Sequence, residues 1–168
     1  MTWPAFLTSP AVVAAACVVV VLFLGGLATR LDAWYENLRK PSWQPPGWLF
    51  APAWTTIGVL TAWAAVLGWE ATQNRPLLAA LFAVNGVLNV LWSVLFFQFH
   101  RPDWALVEVV PLWLSVLALV VALAPVSSFA AWLLAPYLVW VAFAAVLNLA
   151  IVRLNRPFSG VRPGAAPR

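Results

Sequence analysis

Charged residues are scarce in this sequence: they make up 8% of its 168 residues, while 64% are hydrophobic. Soluble domains carry about 25% charged residues, so the composition excludes an ordinary water-soluble protein. The length predicts one domain, covering residues 1–168. The net charge of +4 comes from basic residues spread over loops and the C-terminal tail, which argues against nucleic-acid binding.

Side chains for metal or hydrolytic chemistry are also few. The chain has one histidine, His100, one cysteine, Cys17, and one methionine, and they are far apart in the sequence. No cluster has metal-ligand spacing, so we predict no metal site. The few carboxylates exclude a paired-carboxylate hydrolase, and Glu108 is expected to reach the membrane interface or to pair with Arg101. We therefore expect no catalytic residues and no required cofactor.

Uncharged apolar runs long enough to cross a bilayer account for most of the chain. The run 109–152 would be about 66 Å long as a single helix, roughly twice the bilayer core, so it must fold back at Pro125–Ser128. The sequence predicts an all-α integral membrane protein with a bundle of five transmembrane helices. The helices are predicted near residues 7–29, 46–69, 76–99, 103–124 and 129–153. A long loop, 30–46, follows the first helix, and a tail, 157–168, follows the fifth.

The basic residues predict an orientation. Eight of the nine fall on one side of the predicted bundle: Arg30, Arg39, Lys40, Arg101, Arg153, Arg156, Arg162 and Arg168. Only Arg75 falls on the other side, so the positive-inside rule places the long loop and the C-terminus in the cytoplasm. The absence of charge from the middle of each span argues against an ion-driven secondary transporter, which we keep as a lesser alternative. Four tryptophans near predicted helix ends fit an interfacial aromatic belt: Trp3, Trp69, Trp104 and Trp132.

Aromatic, amide and small residues share faces on three predicted helices, at 100° per residue. The stripes are Trp54, Gly58, Thr61 and Ala65 on the second helix, Asn85, Asn89, Trp92 and Phe96 on the third, and Trp140, Ala144 and Asn148, with Tyr137 beside them, on the fifth. They either pair and pack between helices or line a small-molecule pocket. The residues alone favour packing. A second stripe on the third helix, Ala79, Ala83, Gly86 and Val90, is a candidate homodimer face, although packing within one chain explains such spacing equally well.

The segment Trp34–Trp54, WYENLRKPSWQPPGWLFAPAW, combines aromatic residues with prolines that restrict its backbone. Such a loop suits the lid of a site for a flat apolar ligand, with Trp43 and Trp48 either in the lid or in the aromatic belt. A metal-free tetrapyrrole would stack on aromatic rings. Arg39 and Lys40 are placed to pair with its propionates.

This segment resembles the loop signature of the TspO/MBR family (translocator protein, or peripheral benzodiazepine receptor, family), roughly WYxxLxKPxWxPP followed by W. The words LNVLWSVLFF at 88–97, WALVE at 104–108 and PYLVWVAFAAVLN at 136–148 resemble the family's third, fourth and fifth helices. The resemblance covers about residues 10–157. It implies a five-helix bundle, often a homodimer, with a pocket under the first long loop.

Known ligands of the family are porphyrins, sterols and benzodiazepine-site drugs. The family's pocket positions match Tyr35, Trp54, Asn89, Trp92, Trp140, Ala144 and Asn148, and Phe96 joins them through its stripe. Leu149 stands where animal members have the tyrosine of a cholesterol motif, which argues against strong cholesterol binding. We expect a prokaryote-like member in a bacterial membrane, and the residues alone do not distinguish that membrane from a mitochondrial outer membrane. The expected function is a membrane receptor or carrier for tetrapyrroles, with sterols or other lipids as further candidate ligands. The alternative activity is light- and oxygen-dependent porphyrin degradation.

Overall fold

The computed structural model describes residues 9–158. Five helices in this range are long and apolar enough to span a membrane: Pro10–Ala28, Gly47–Ala71, Arg75–Gln98, Pro102–Leu123 and Ser128–Asn155. The predicted all-α, five-helix membrane fold is thereby confirmed. Residues 7–8 of the predicted first helix, Trp3, and the tail from residue 159 onward, with Arg162 and Arg168, lie outside the described residues.

Helix α1, Pro10–Ala28, is almost uniformly apolar. Ser9 caps its start by accepting a hydrogen bond from the Val12 amide at 3.4 Å, and Pro10 occupies the first turn, where its missing N–H costs nothing. The long loop that follows contains a short helix, α2, at Ala33–Asn37, which Asp32 caps. The loop therefore has a folded first half.

Helix α3, Phe50–Ala71, is preceded by a 3-10 turn at Gly47–Leu49, just after the prolines of the loop. Helix α4, Arg75–Ser93, begins at the capping residue Asn74. It continues as a π-helical turn over Val94–Gln98, which ends with the Phe99 amide bonded to the Val94 carbonyl oxygen at 3.0 Å. Such single π turns widen a helix and alter which residues share a face.

Helix α5, Pro102–Leu123, fills the first half of the longest apolar run, and the chain turns between Leu123 and Ser128, at the predicted break. Ser127 caps the short helix α6, Ser128–Leu133, by accepting from the Ala130 amide at 3.3 Å. Helix α7, Ala135–Asn155, completes the fifth span. The last three elements form the most deeply buried part of the bundle.

The spanning helices form a ring in which α1 contacts α3 and α4, α4 contacts α5, and α5 contacts α7. The ring closes where α6 and α7 contact α3. Gly58 lets Leu22 and Val18 of α1 pack directly against α3, since a Cβ there would lie 2.8 Å from Leu22 Cδ1 and 2.9 Å from Val18 Cγ1. Elsewhere α1 packs loosely, and Ala28 is its one buried residue. Space is therefore left along α1.

Candidate ligand-binding site

A cavity of about 780 Å³ lies among α1, α3 and α4. Trp54 and Asn89 line the end nearer the long loop, and Pro10, Trp69 and Leu78 line the opposite end. Trp54 and Trp69 are about 22 Å apart along α3 at 1.5 Å per residue. Most of the remaining wall is aliphatic. The cavity is therefore a long apolar slot with a few polar groups at defined depths.

A chain of hydrogen bonds runs from the cavity wall into the helix interface behind it. Asn89 Nδ2 donates to Tyr137 Oη at 2.8 Å, and the Tyr137 hydroxyl donates to Asn85 Oδ1 at 3.2 Å. Asn85 Nδ2 donates to Ser115 Oγ at 2.9 Å, and the Ser115 hydroxyl donates to the Leu112 carbonyl oxygen at 2.7 Å. This chain joins α4, α5 and α7 in a region where unpaired polar groups are costly.

The two amides on α4 thus have different environments. Asn85 is 4% exposed and uses both its nitrogen and its oxygen within the network. Asn89 is half-buried, donates through its nitrogen, and its Oδ1 takes no hydrogen bond from the described residues. Asn85 therefore serves helix packing, while Asn89 offers an acceptor to a molecule in the cavity.

An aromatic cluster closes the bundle between the cavity and the long loop. The Trp54 ring meets Tyr137 and Trp140 edge-on, with centroids 6.0 and 6.4 Å apart. Trp92 stacks on Phe96 at 5.3 Å. Trp54 and Tyr137 belong both to this cluster and to the cavity wall.

The structure brings two of the eight predicted ligand-binding residues, Trp54 and Asn89, to the cavity. The other six do not line it: Tyr35, Trp92, Phe96, Trp140, Ala144 and Asn148. Asn148 is 1% exposed; with its amide oriented to suit its neighbours, it donates to the Pro102 carbonyl oxygen at 3.0 Å and accepts from the Leu106 amide at 3.1 Å. For Asn148 the structure therefore favours the packing interpretation.

The predicted dimer stripe faces inward in this chain. Ala79, Ala83, Gly86 and Val90 all line the cavity. A Cβ on Gly86 would lie 3.0 Å from Val21 Cγ2 of α1. The stripe therefore contributes to packing within the chain and to the cavity wall, and its use as a homodimer face stays a prediction.

The beginning of the long loop is fastened to the α4–α5 junction. Trp34 stacks on His100 with centroids 4.2 Å apart, and His100 Nε2 lies 3.2 Å from Asp32 Oδ2. The Tyr35 amide donates to Asp32 Oδ1 at 3.0 Å and, together with His100, holds the pKa of Asp32 below its usual value. Asp32 therefore remains a carboxylate at neutral pH.

The middle of the loop is fastened to the end of α7. Asn155 Oδ1 accepts from the Arg39 amide and Asn155 Nδ2 donates to the Arg39 carbonyl oxygen, both at 2.8 Å. Trp43 meets Phe143 edge-on at 6.1 Å, whereas Trp48 is 72% exposed. Lys40 Nζ lies 4.2 Å from the centroid of the Tyr35 ring. The loop thus lies over the aromatic cluster, while Trp48 extends away from it.

Replacing Asn155 by Ala removes both hydrogen bonds to the Arg39 backbone, and we expect the loop to be cleaved several-fold faster by a protease that cuts after Arg39. Two neutral hydrogen bonds contribute about 1–3 kcal/mol together. Limited proteolysis in nanodiscs measures the rate. Asn37→Ala is the matched control, because within residues 9–158 the Asn37 side chain bonds only to the Ala33 carbonyl oxygen of its own helix. Equal cleavage rates for the two variants would contradict the fastening of the loop at Asn155.

Glu108 does not reach Arg101, which pairs instead with Asp103, two residues along the chain. Its side chain is buried, and neither carboxylate oxygen has a hydrogen-bond partner among residues 9–158. The prediction that Glu108 either pairs with Arg101 or reaches the membrane interface was therefore wrong. The Glu108 side chain lies on the face of α5 that packs inside the bundle.

Two contributors to the site were not singled out from the sequence. Ser115 links Asn85 to the backbone of α5, and its only signal is that it is a hydroxyl within a long apolar run. The α1 wall, including Val18 and Leu22, gives no signal at all, because every position of α1 is similarly apolar.

The amino-acid sequence is similar to those of known proteins. A model of the TspO/MBR family matches residues 13–154. The chain belongs to the TspO/MBR family. This TspO/MBR member is 43% identical to the tryptophan-rich protein TspO of Chlorobaculum tepidum over 138 residues, which cover 79% of this chain and 87% of the relative.

Other TspO/MBR relatives span bacteria and animals. The tryptophan-rich sensory protein of Cereibacter sphaeroides is 36% identical over 92% of this chain and 94% of its own length. The translocator protein of Sus scrofa is 41% identical over 80% of each chain. Family membership and the five apolar helices together make this TspO/MBR chain an integral multi-pass membrane protein.

Proposed function

We propose that this protein is a membrane receptor or carrier that binds a tetrapyrrole at the loop-side end of the cavity. One observation carries the proposal: Trp54 and Asn89 both line the same end of an apolar cavity of about 780 Å³. Asn89 Oδ1 accepts no hydrogen bond from the described residues. Small-molecule sites combine apolar and aromatic walls with a few polar groups in this way. The names of two relatives, a sensory protein and a translocator protein, support a receptor or a carrier.

The chemistry of a metal-free tetrapyrrole matches this end of the cavity. Its apolar face would pack against Trp54 and the aliphatic wall of α1. Its pyrrole N–H groups point to the centre of the macrocycle. Asn89 Oδ1, an acceptor without a partner among the described residues, would therefore accept from them over the face of the ring opposite Trp54. Its propionates would extend toward the loop, where Arg39 and Lys40 supply positive charge.

The position of the aromatic cluster determines how many of the predicted pocket residues can contact the ligand. Trp140 contacts Trp54, Phe50 and Phe143, and it does not line the cavity. If its ring rotated away, the cavity would extend beneath the loop toward Trp92. The predicted residues outside the cavity would therefore contact the ligand after the cluster opens, with the loop retaining it.

The orientation of the protein in the membrane is part of the same proposal. Among residues 9–158, six basic residues lie on the loop side of the bundle: Arg30, Arg39, Lys40, Arg101, Arg153 and Arg156. Arg75 lies on the opposite side. The positive-inside rule places the loop side in the cytoplasm of a bacterial cell, so a carrier would present propionates to the cytoplasm.

Titration of the purified protein in nanodiscs with protoporphyrin, followed by tryptophan quenching, tests the proposal. We expect saturable quenching with about one porphyrin per chain. Cholesterol, titrated in parallel, is expected to give no saturable response. Linear, non-saturating quenching by the porphyrin would contradict specific binding. The same samples kept under light and oxygen distinguish the enzymatic alternative, because degradation requires a new bilin-like absorption band.

A further inference from the structure

A second polar group on the cavity wall lacks a partner, and it lies deeper in the membrane than Asn89. Thr61, near the middle of α3, is 9% exposed and lines the cavity. Its Oγ1 has no hydrogen-bond partner among the described residues. A helical threonine often donates to the carbonyl one turn earlier, as Thr55 Oγ1 does to the Ala51 oxygen at 2.9 Å. Because a buried unpaired hydroxyl is costly, Thr61 marks a place where a bound molecule would supply the partner.

The shape of this part of the cavity suits a chain better than a disc. From Thr61 to Trp69 the slot runs about 12 Å along α3. Gly58, one turn from Thr61 toward the long loop, lies close to Leu22 and Val18 of α1. The wall opposite is built from α4 residues such as Leu78 and Phe82. A slender hydrocarbon fits between these apolar walls.

The end of the slot away from the loop carries a positive charge. Arg75 Nε donates to the Trp69 carbonyl oxygen at 3.1 Å, and its guanidinium carbon lies 5.5 Å from the centroid of the Trp69 ring. Trp69 lines this end of the cavity. The exposed Glu70 is the nearest acid in sequence, and it forms no ion pair among the described residues. Arg75 is thus available to an anionic head group.

We propose that the deep part of the cavity binds a single-chain anionic amphiphile that carries a hydroxyl or carbonyl oxygen near the middle of its chain. The head group lies at Arg75 and the mid-chain oxygen hydrogen-bonds to Thr61. This site goes beyond the proposed tetrapyrrole function, because the head group and the mid-chain oxygen lie in the stretch between Thr61 and Trp69. The rest of the chain extends past Gly58 toward Trp54.

The single cysteine of the chain reports on occupancy of this site. Cys17 lines the cavity from α1, and its side chain is exposed in the structure. The rate of its reaction with N-ethylmaleimide is measured in nanodiscs with increasing stearate or with hydroxystearate whose hydroxyl is at mid-chain. We expect both acids to slow alkylation saturably. Hydroxystearate should act at an about fivefold lower concentration, as one additional hydrogen bond implies.

Four variants show which residues produce the preference for hydroxystearate. Thr61→Val, which keeps the shape and removes the hydroxyl, is expected to make the two acids equal. Thr55→Val, the matched control on the same helix, and Thr61→Ser, which retains a hydroxyl, should keep the preference. Arg75→Gln should weaken both acids by the same factor, because both carry the carboxylate.

The proposal would be overturned if the two acids halved the alkylation rate of Cys17 at the same concentration in the unmodified protein. It would also be overturned if the preference for hydroxystearate persisted in Thr61→Val. The far-UV circular dichroism of Thr61→Val shows whether the variant is folded. Failure of porphyrin binding in the unmodified protein, with the hydroxystearate preference intact, would overturn the tetrapyrrole proposal alone.

Discussion

Replacing Trp54 by Ala is expected to raise the Kd for protoporphyrin about thirtyfold. The indole supplies the aromatic surface at the loop-side end of the cavity and also holds Trp140 and Tyr137 in place. Losing a stacking partner together with its buried area corresponds to about 2 kcal/mol of binding free energy. The measurement is the midpoint of the quenching titration, since its amplitude changes whenever a tryptophan is removed.

Trp132→Ala is the matched control for Trp54→Ala. Trp132 is 74% exposed and lies on α6, away from the cavity, so its removal should leave the Kd unchanged. Trp54→Phe is expected to lie between the unmodified protein and Trp54→Ala, because it keeps an aromatic ring. A Kd for Trp54→Ala equal to that of Trp132→Ala would place the ligand elsewhere.

Replacing Tyr137 by Phe is expected to lower the free energy of unfolding by about 2–4 kcal/mol. The Tyr137 hydroxyl bonds to the Asn89 amide nitrogen and to Asn85 Oδ1. Without the hydroxyl, the buried Asn85 and the half-buried Asn89 each lose a partner. An unsatisfied buried group costs about 1–3 kcal/mol. Reversible unfolding in mixed micelles, by titration with a denaturing detergent, measures the change.

Tyr35→Phe is the control for this change. The Tyr35 hydroxyl lies in the loop, and its one hydrogen bond among residues 9–158 is a long contact of 3.5 Å from Gln44 Nε2. Its removal should change the unfolding free energy by less than about 0.5 kcal/mol. If the two phenylalanine variants were equally stable, the amide network would not contribute to folding as described.

The spans were predictable because lipid imposes simple constraints on sequence. A helix that crosses the membrane must be apolar over about 20 residues, and Ser127 with Pro125 interrupts the one run that is too long. The positions of Trp54 and Asn89 on the cavity wall were also predictable, since an indole and an amide within apolar spans require an explanation.

Other features of the site could not be predicted because they depend on how helices contact one another. Asn85, Asn89 and Asn148 look alike in sequence, and only the partners Tyr137, Ser115 and Pro102 decide which amide is satisfied. The π turn over Val94–Gln98 alters the face on which Phe96 lies. None of its residues is a sequence signal for a π turn. The uniform apolarity of α1 conceals which of its sides borders the cavity.

An experimental structure of the protein in lipid with protoporphyrin bound is the decisive measurement. We expect the ring within the cavity among α1, α3 and α4, against Trp54, with a pyrrole nitrogen within hydrogen-bond distance of Asn89 Oδ1 and with Tyr137 still bonded to both amides. A porphyrin bound outside the bundle, with the Trp54 end of the cavity unoccupied, would contradict the proposed site.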